Sequence, residues 1–313
     1  MGASPRFPPL LVATIKALAC ELPAQREAPL GRYSTTDLVR YIEAQPTAPT
    51  VSASTIWRIL DQDALKPWQQ RSWITPRDPA FAEKAGRVLD LYAGVWMGQP
   101  LAPTDCVISA DEKTSIQARI RTAPTTPPRP GAPAQVEHEY ARGGALAYLA
   151  AWDVRRGGGC PLGGGRCEAT TGIVAFGHLV DQVMTQEPYR AAPRVFWIVD
   201  NGSSHRGAAA VQRLQTRYPN LILVHLPTHA SWLNQIEIYF SILQRKVLTP
   251  NDFPDLAAVE HRLLAFEARY NDTAVPFNWR FTRVALNQRL LQLADFLDPP
   301  PALPATTKLH HYL

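Results

Sequence analysis

Cysteine is scarce. Four in 313 residues (Cys20, Cys106, Cys160, Cys167) exclude a disulfide framework and make a reducing cytoplasm the expected setting. Cys160 and Cys167 stand in C-P-L-G-G-G-R-C, which has the wrong spacing for a zinc site and no second ligand pair nearby. Long apolar runs are missing too. Leu10 to Cys20 is interrupted by Lys16 and has no convincing small-residue cleavage site, so it reads as a buried helix rather than a leader. Nothing reaches the ~18 apolar residues that a membrane span needs. There is no internal repeat, and charge of neither sign dominates. With 46% hydrophobic and 19% charged residues the composition is that of a folded chain, and the length suits one catalytic domain plus a small accessory one.

The net charge of +5 is a mild basic excess, compatible with a polyanion partner. Much of it is local: Lys113, Arg119, Arg121, Arg129, Arg142, Arg155 and Arg156 face only Glu137, Glu139 and Asp153 between residues 113 and 156. If nucleic acid binds, that stretch is expected to meet it.

The N-terminal third reads as helical. Ser34 opens a segment with Leu38, Val39 and Ile42 on one face, and Asp37 sits three residues on in a near capping box. A second helix starts at Ser52 or Ser54 and turns Ile56, Ile59 and Leu60 inward, leaving Arg58 elsewhere. Two short helices across a turn are consistent with a helix-turn-helix, in which Arg58 would meet phosphate or base edges. By spacing alone a plain helical hairpin is favoured, because the P-T-A-P-T turn is longer than the usual three or four residues. A third helix, Phe81 to Trp96, leads onward.

From Cys106 the pattern turns to strands. Residues 106–110 form an apolar strand ending at Asp111, 114–121 alternate, and 145–154 form a third strand. After the glycine-rich stretch 157–165 come a helix (170–184), a strand (195–199) ending at Asp200, a helix (208–218), a strand (221–224) and a helix (231–247). This order predicts a mixed α/β sheet with an antiparallel start and a parallel continuation, the order of ribonuclease H-like domains.

Asp111 and Asp200 thus stand where buried strands end, the place where open α/β sheets keep their ligand sites. For Asp200, in Asp-Asn-Gly, a turn aspartate is an equal alternative. Glu237, flanked by Ile236 and Ile238 on a helix, adds a third acid that is costly to desolvate without a cation or donor. Three such carboxylates suit two oxygen-ligated Mg²⁺ or Mn²⁺ ions ~4 Å apart.

The segments V-I-S-A-D-E-K-T-S-I-Q-A (107–118), I-V-D-N-G-S-S-H (198–205) and S-W-L-N-Q-I-E-I-Y-F (231–240) resemble, in order, the three catalytic blocks of insertion-sequence transposases. The group is the IS-six-thirty group of the Tc/mariner superfamily, with acids of the Asp, Asp, Glu type. The likeness runs from about Ser34 to Phe296 and includes R-P-G and E-Y-A-R-G-G between the first two blocks. It implies metal binding and catalysis by Asp111, Asp200 and Glu237. Lys113 lies in the first block and is expected to meet DNA. Asn201 and His205 would line the site or hold DNA phosphate, a helix-capping role for His205 being the alternative. Glu112 is expected to stand back from the metal, because adjacent strand residues point to opposite faces. Asn234 is expected to hold the start of the helix, and Trp232 to lie in the core.

The expected organisation is a helix-turn-helix region over 1–75, a helical linker over 76–104, a ribonuclease H-like catalytic domain over 105–296 and a tail over 297–313. Where family members carry paired helix-turn-helix units, one is clear here, with Leu10–Ala19 as a remnant of the other, as in an N-terminally truncated copy. The glycine-rich stretch departs from the family as a surface insertion. The implied function is metal-dependent cleavage at transposon terminal inverted repeats and transfer to target DNA, on double-stranded DNA at the nucleoid, as a homodimer assembled on that DNA. A DNA-binding remnant and a stand-alone nuclease of the same fold are the alternatives. Five prolines (Pro124, Pro127, Pro128, Pro130, Pro133) stiffen a connection longer than a hairpin needs. Residues 122–141 are therefore expected to project and clasp a second protomer or its DNA, as an arm in this position does in the resembling superfamily, with Arg129 and Arg142 toward phosphate.

Overall fold

The computed structural model describes residues 7–46, 49–70, 76–157 and 164–297; Cys160 lies outside them. The chain divides into two compact units, 1–74 and 75–313.

The first unit packs three helices, α1 (Pro9–Ala19), α2 (Thr35–Glu43) and α3 (Ala53–Asp61), around Ile15, Leu18, Leu38, Ile42, Ile56 and Leu60. Both later helices start where a side-chain oxygen can satisfy a free backbone N–H. Ser34 and Asp37 form a reciprocal capping box, and the Ser52 hydroxyl accepts from the Thr55 N–H at 3.3 Å. Arg58 is on the exposed side of α3, its guanidinium donating to Ser54 O and Thr55 Oγ1, each at 3.3 Å.

The second unit opens with α4 (Phe81–Tyr92) and a small hairpin, β1 (Val95–Trp96) and β2 (Gln99–Pro100). Its centre is a five-stranded sheet of β3 (Cys106–Arg121), β4 (Tyr140–Asp153), β5 (Gly165–Glu168), β6 (Val195–Val199) and β7 (Leu221–His225), in the order β5-β4-β3-β6-β7. β5-β4-β3 are antiparallel and β3-β6-β7 parallel, the mixed sheet expected from the element order. The strands are apolar on both sides because both sides are covered. One core joins Val107, Tyr148, Trp152, Phe196 and Ile198 to α4, α7 (Ile236–Lys246), α8 (Leu256–Asn271) and α9 (Arg283–Leu297). The other joins Cys106, Ile108, Ala110, Trp197 and Val199 to α5 (Ile173–Met184) and α6 (Ala208–Arg217).

The third helix, expected to reach Trp96, ends at Tyr92, and Val95–Trp96 pairs as a strand instead; three further elements differ from the sequence reading. Asp111 does not end a strand: β3 runs on unbroken past the polar Asp-Glu-Lys-Thr run, because that run still has β4 as a partner, Asp111 opposite Ala150 and Lys113 opposite Tyr148. The irregularity comes later, as a register shift between Lys113 and Ile116, where Ser115 takes a left-handed φ of 55°. β5 emerges from the end of the glycine-rich stretch. Gly165 packs so closely on the Tyr148 hydroxyl and Glu267 that a Cβ would lie 2.1 Å from the former, while its N–H donates to Glu267 Oε1 at 2.8 Å. Third, the segment 231–247 is two pieces, a 3-10 turn (Ser231–Leu233) and α7, separated at Asn234, whose φ of −83° and ψ of 113° are extended.

Between β3 and β4 the chain forms a long hairpin whose base is fastened. Asn251 accepts from the Arg119 N–H at 3.1 Å and donates to Gln117 O at 2.8 Å, Thr125 bonds Asp252, and the Arg119 and Arg121 guanidinia lie over the Tyr140 ring. Beyond that base residues 126–135 are almost all exposed and are held by two isolated bridges, Thr126 with Gln135 and Arg129 with Ala132.

Candidate active site at the end of the central strands

The pairing of β3 with β6 sets Cys106 beside Val195 and Ser109 beside Ile198. Two further steps in that register bring Asp111 beside Asp200, just past the last paired residues. The two aspartates, far apart in sequence, meet because parallel strands run in step.

Their surroundings differ. Asp111 is enclosed, and its Oδ1 accepts from the Glu112 N–H at 2.8 Å while Oδ2 accepts from Asn234 Nδ2 at 3.2 Å. Desolvation, aided by the charges of Asp200, Glu112 and Glu237, pushes its carboxyl up to about 7. Asp200 is 43% exposed, and its Oδ1 accepts from His205 Nε2 at 2.6 Å and the Gly202 N–H at 2.7 Å. The His205 hydrogen bond is the main cause that holds its carboxyl below the usual range. Gly202 is required by this turn: a Cβ there would stand 2.9 Å from Asp200 Oδ1 and 3.1 Å from the His205 ring.

His205, expected to line the site or hold DNA phosphate, or to serve a structural role, is 1% exposed, packed against Phe176 and bonded through Nδ1 to Ser204 Oγ at 2.9 Å. A ring so enclosed orients Asp200 and has no face left for phosphate. Asn201 is likewise directed inward, its Nδ2 donating to Leu226 O at 2.7 Å. The Asp200–Gly202 turn and residues 227–231 border a cavity of 330 Å³.

Among the described residues, Asp111, Glu112 and Asp200 can bring three carboxylate oxygens within 4.8 Å of one another. Glu112 thus comes closer than the alternation rule suggested. Its Cβ does leave the face opposite Asp111, toward Ser204, whose Oγ lies 3.4 Å from Glu112 Oε1. But β6 has ended at this level, so on that side of β3 no strand separates the two faces, and Glu112 comes within reach of the aspartates. Glu237 is outside that tight group. It stands on the exposed first turn of α7, where burial by the surrounding protein raises its carboxyl, Lys113 opposes the rise and Asp200 adds to it. Glu237 is thus near enough to Lys113 and Asp200 to feel their charges. Trp232, expected in the core, is 48% exposed and rests edge-on against Phe281.

The other expected DNA contacts are elsewhere. Arg58 belongs to the first unit, and Arg129 and Arg142 are exposed on the hairpin. Of the basic stretch, Arg155 donates to Ala102 O and Asp105 O, Arg156 pairs with Asp153, and Arg119 and Arg121 brace the hairpin base. Those four hold the fold together, so the basic excess free to meet a polyanion is smaller than the sequence suggested. Sequence reasoning also passed over Ser109, which bonds Asn234; the signal was a lone hydroxyl two positions before Asp111 in an otherwise apolar run.

A five-stranded mixed sheet covered by helices on both faces, with acids gathered at the end of its central strands, defines a ribonuclease H-like fold. Residues 107–260 match the family described as DDE superfamily endonuclease. None of the curated proteins matches the sequence. Among solved structures, the chain is similar to a pre-cleavage Mos1 transpososome, with a TM-score of 0.56 and 17% identity over 93% of this chain and 80% of that one. It is similar also to the mariner Mos1 paired end complex with Mg (TM-score 0.54, 14% identity, 94% and 80% covered) and with Mn (0.53, 15%, 87% and 75%). At such identities the likeness is one of fold. No helix among the described residues is long and apolar enough to cross a membrane.

Proposed function

We propose that the protein is a transposase of the IS-six-thirty group, which binds the terminal inverted repeats of its element, cuts DNA there and joins the freed 3′ end to target DNA. The observation that carries this reading is the parallel register that brings Asp111 beside Asp200, with Glu112 close to both. The donor set fits a divalent cation: it is all carboxylate oxygen, and among the described residues the enclosed Asp111 has no cationic hydrogen-bond partner to offset its charge. Asp111, Asp200 and Glu237 would hold two Mg²⁺ or Mn²⁺ ions, with Glu112 at the margin. When bound, the metal supplies Lewis-acid stabilisation of an in-line displacement at phosphorus. Asn234 and His205 keep the two aspartates oriented, and Lys113 balances the charge of Glu237. The site works on double-stranded DNA, in the cytoplasm at the nucleoid.

The direct test combines a gel shift on the element's terminal repeats with Mg²⁺-dependent nicking and joining of the same DNA. Repeat-specific cleavage and joining support the proposal. Binding without cleavage would indicate a DNA-binding remnant, and cleavage indifferent to the repeats a stand-alone nuclease.

In this reading α2 and α3 are the helix-turn-helix that reads the repeat. Arg58→Ala should then weaken repeat binding and lower the salt slope by about one unit for one lost phosphate contact. An unchanged slope in a gel-shift salt series would leave the helical hairpin a structural unit only.

The hairpin arm is proposed to clasp a second protomer, since two transposon ends call for two active sites. Its fastened base and exposed tip support this, with Arg129 and Arg142 toward DNA phosphate. Replacing residues 122–139 by a tight turn should leave a folded protein that still shifts single-end DNA but yields at least ~10-fold less paired-end complex, the scale of effect that loss of a bivalent contact brings. Paired-end complexes at normal yield would rule the clasp out.

A further inference from the structure

Apart from the carboxylates themselves, the side chain held most completely at the site is the amide of Asn234. It is 1% exposed and sits at the break between the 3-10 turn and α7. Its side chain caps neither piece: α7 starts from Gln235 with no side-chain cap, and the 3-10 turn is closed by the Asn234 backbone N–H on Ser231 O. Its bonds cross to the central strand instead, and donor chemistry forces their direction. The Ile236 N–H can only donate, and it lies 2.9 Å from Ser109 Oγ. The Ser109 oxygen accepts there, and because Ala110 O on the other side of the amide can only accept, Asn234 presents Oδ1 to Ser109 and takes its hydrogen. With Oδ1 so engaged, the amide nitrogen must face the other way. There it donates one hydrogen to Ala110 O at 3.1 Å and the other to Asp111 Oδ2 at 3.2 Å.

Two consequences follow. Asp111 is held on both oxygens, by Asn234 on Oδ2 and by the Glu112 N–H on Oδ1, so its plane is set before any cation arrives. The same residue also governs where α7 begins, since the Glu237 N–H donates to Asn234 O at 3.1 Å. One side chain thus orients an acid on β3 while its own backbone locates an acid on α7.

We infer that Asn234 is a positioning residue for divalent-cation binding, which orients the Asp111 carboxylate through its amide and, with Ser109 behind it, locks the Glu237-bearing helix to the same strand. The inference rests on the metal-dependent reading above. Groups that hydrogen-bond a metal's ligands typically change its affinity by about 10–100-fold when removed.

The test is Mn²⁺ binding to the full chain without DNA, by electron paramagnetic resonance of free Mn²⁺ at pH 7.5. Asn234→Ala should bind about 10–100-fold more weakly than the wild type. Ser109→Ala should weaken binding severalfold. Because Ser109 acts partly through Asn234 and partly through the Ile236 N–H, the double variant should lose less than the product of the two single losses. A purely structural role predicts otherwise: a lower melting temperature with Mn²⁺ affinity intact. Wild-type affinity in a folded Asn234→Ala protein overturns the inference, as do losses that multiply in the double variant. Should Asn234→Ala fail to fold, Ser109→Ala decides alone, with severalfold weaker binding supporting the inference and wild-type affinity overturning it. A wild-type chain that binds no Mn²⁺ would refute the metal-dependent reading itself, and this inference with it.

Discussion

Asp111→Asn and Asp200→Asn should each lower Mg²⁺-dependent strand cleavage by at least ~10³-fold, since a metal's stabilisation of the transition state amounts to several kcal/mol and each 1.36 kcal/mol is tenfold. Binding to repeat DNA should survive in both, because the proposed reading helices belong to the other compact unit. The two remaining acids separate the possible third ligands. Glu237→Gln should be as damaging as the aspartate changes if the third acid comes from α7. Glu112→Gln should then cost only about 10–100-fold, as for a group beside the metal rather than on it. Single-turnover cleavage of a labelled end reads all four variants. The reverse order for the two glutamates would assign the third position to Glu112, which the static geometry brings nearer to the aspartates. Retention of normal cleavage by either aspartate variant would sink the active-site assignment altogether.

The second large effect concerns stability. Asp111 titrates near 7 in the folded protein instead of near its ordinary 3.8, mainly through desolvation. A carboxyl raised in this way binds its proton more tightly folded than unfolded. Its stabilising contribution is therefore complete below about pH 4 and is lost as pH climbs through about 7. Asp200 is shifted the opposite way by His205, so its contribution is lost on acidification, and the overall pH curve mixes the two. The difference between wild type and Asp111→Asn isolates the first. Without metal, Asp111→Asn should melt several degrees above the wild type at pH 8, the gap narrowing toward pH 5, where the wild-type carboxyl is protonated. Millimolar Mg²⁺ or Mn²⁺ should raise the wild-type melting temperature at pH 8 and leave Asp111→Asn nearly unmoved, because only the ionised carboxylate rewards a cation. Equal melting curves for the two proteins at pH 8, with and without metal, would show that Asp111 carries no such burden.

Most strands and helices of the second unit could be read from local pattern. Val195–Val199 and Leu221–His225 are short apolar runs bounded by turn residues, and α5 and α6 carry one apolar face each. Ser34 and Ser52 announced α2 and α3 because an N-cap is a local bond, made by a side chain to a backbone N–H three residues away. Asp111 and Asp200 could be singled out as candidates for a similar reason, since each follows an apolar run directly.

What local pattern could not reach were effects that depend on partners distant in sequence. The Asp-Glu-Lys-Thr run has no strand signal of its own, and stays in β3 only because β4 lies alongside. Gly165–Glu168 has equally little β character and becomes a strand because Gly165 fits against Tyr148 and Glu267, the latter from a helix about a hundred residues on. The nearness of Glu112 to the aspartates depends on where β6 stops, and the basic residues bound up in the fold depend on acids and carbonyls that the surrounding structure brings to them. So the sequence by itself determined the element order, the helix starts and the identity of the acids, because each is written in residues within a turn or two of one another. The tertiary structure alone decided which carboxylates share an opening, that His205 and Asn201 turn inward, and that Asn234 breaks its helix to hold Asp111, because each is a contact between strands and helices that the chain brings together only on folding.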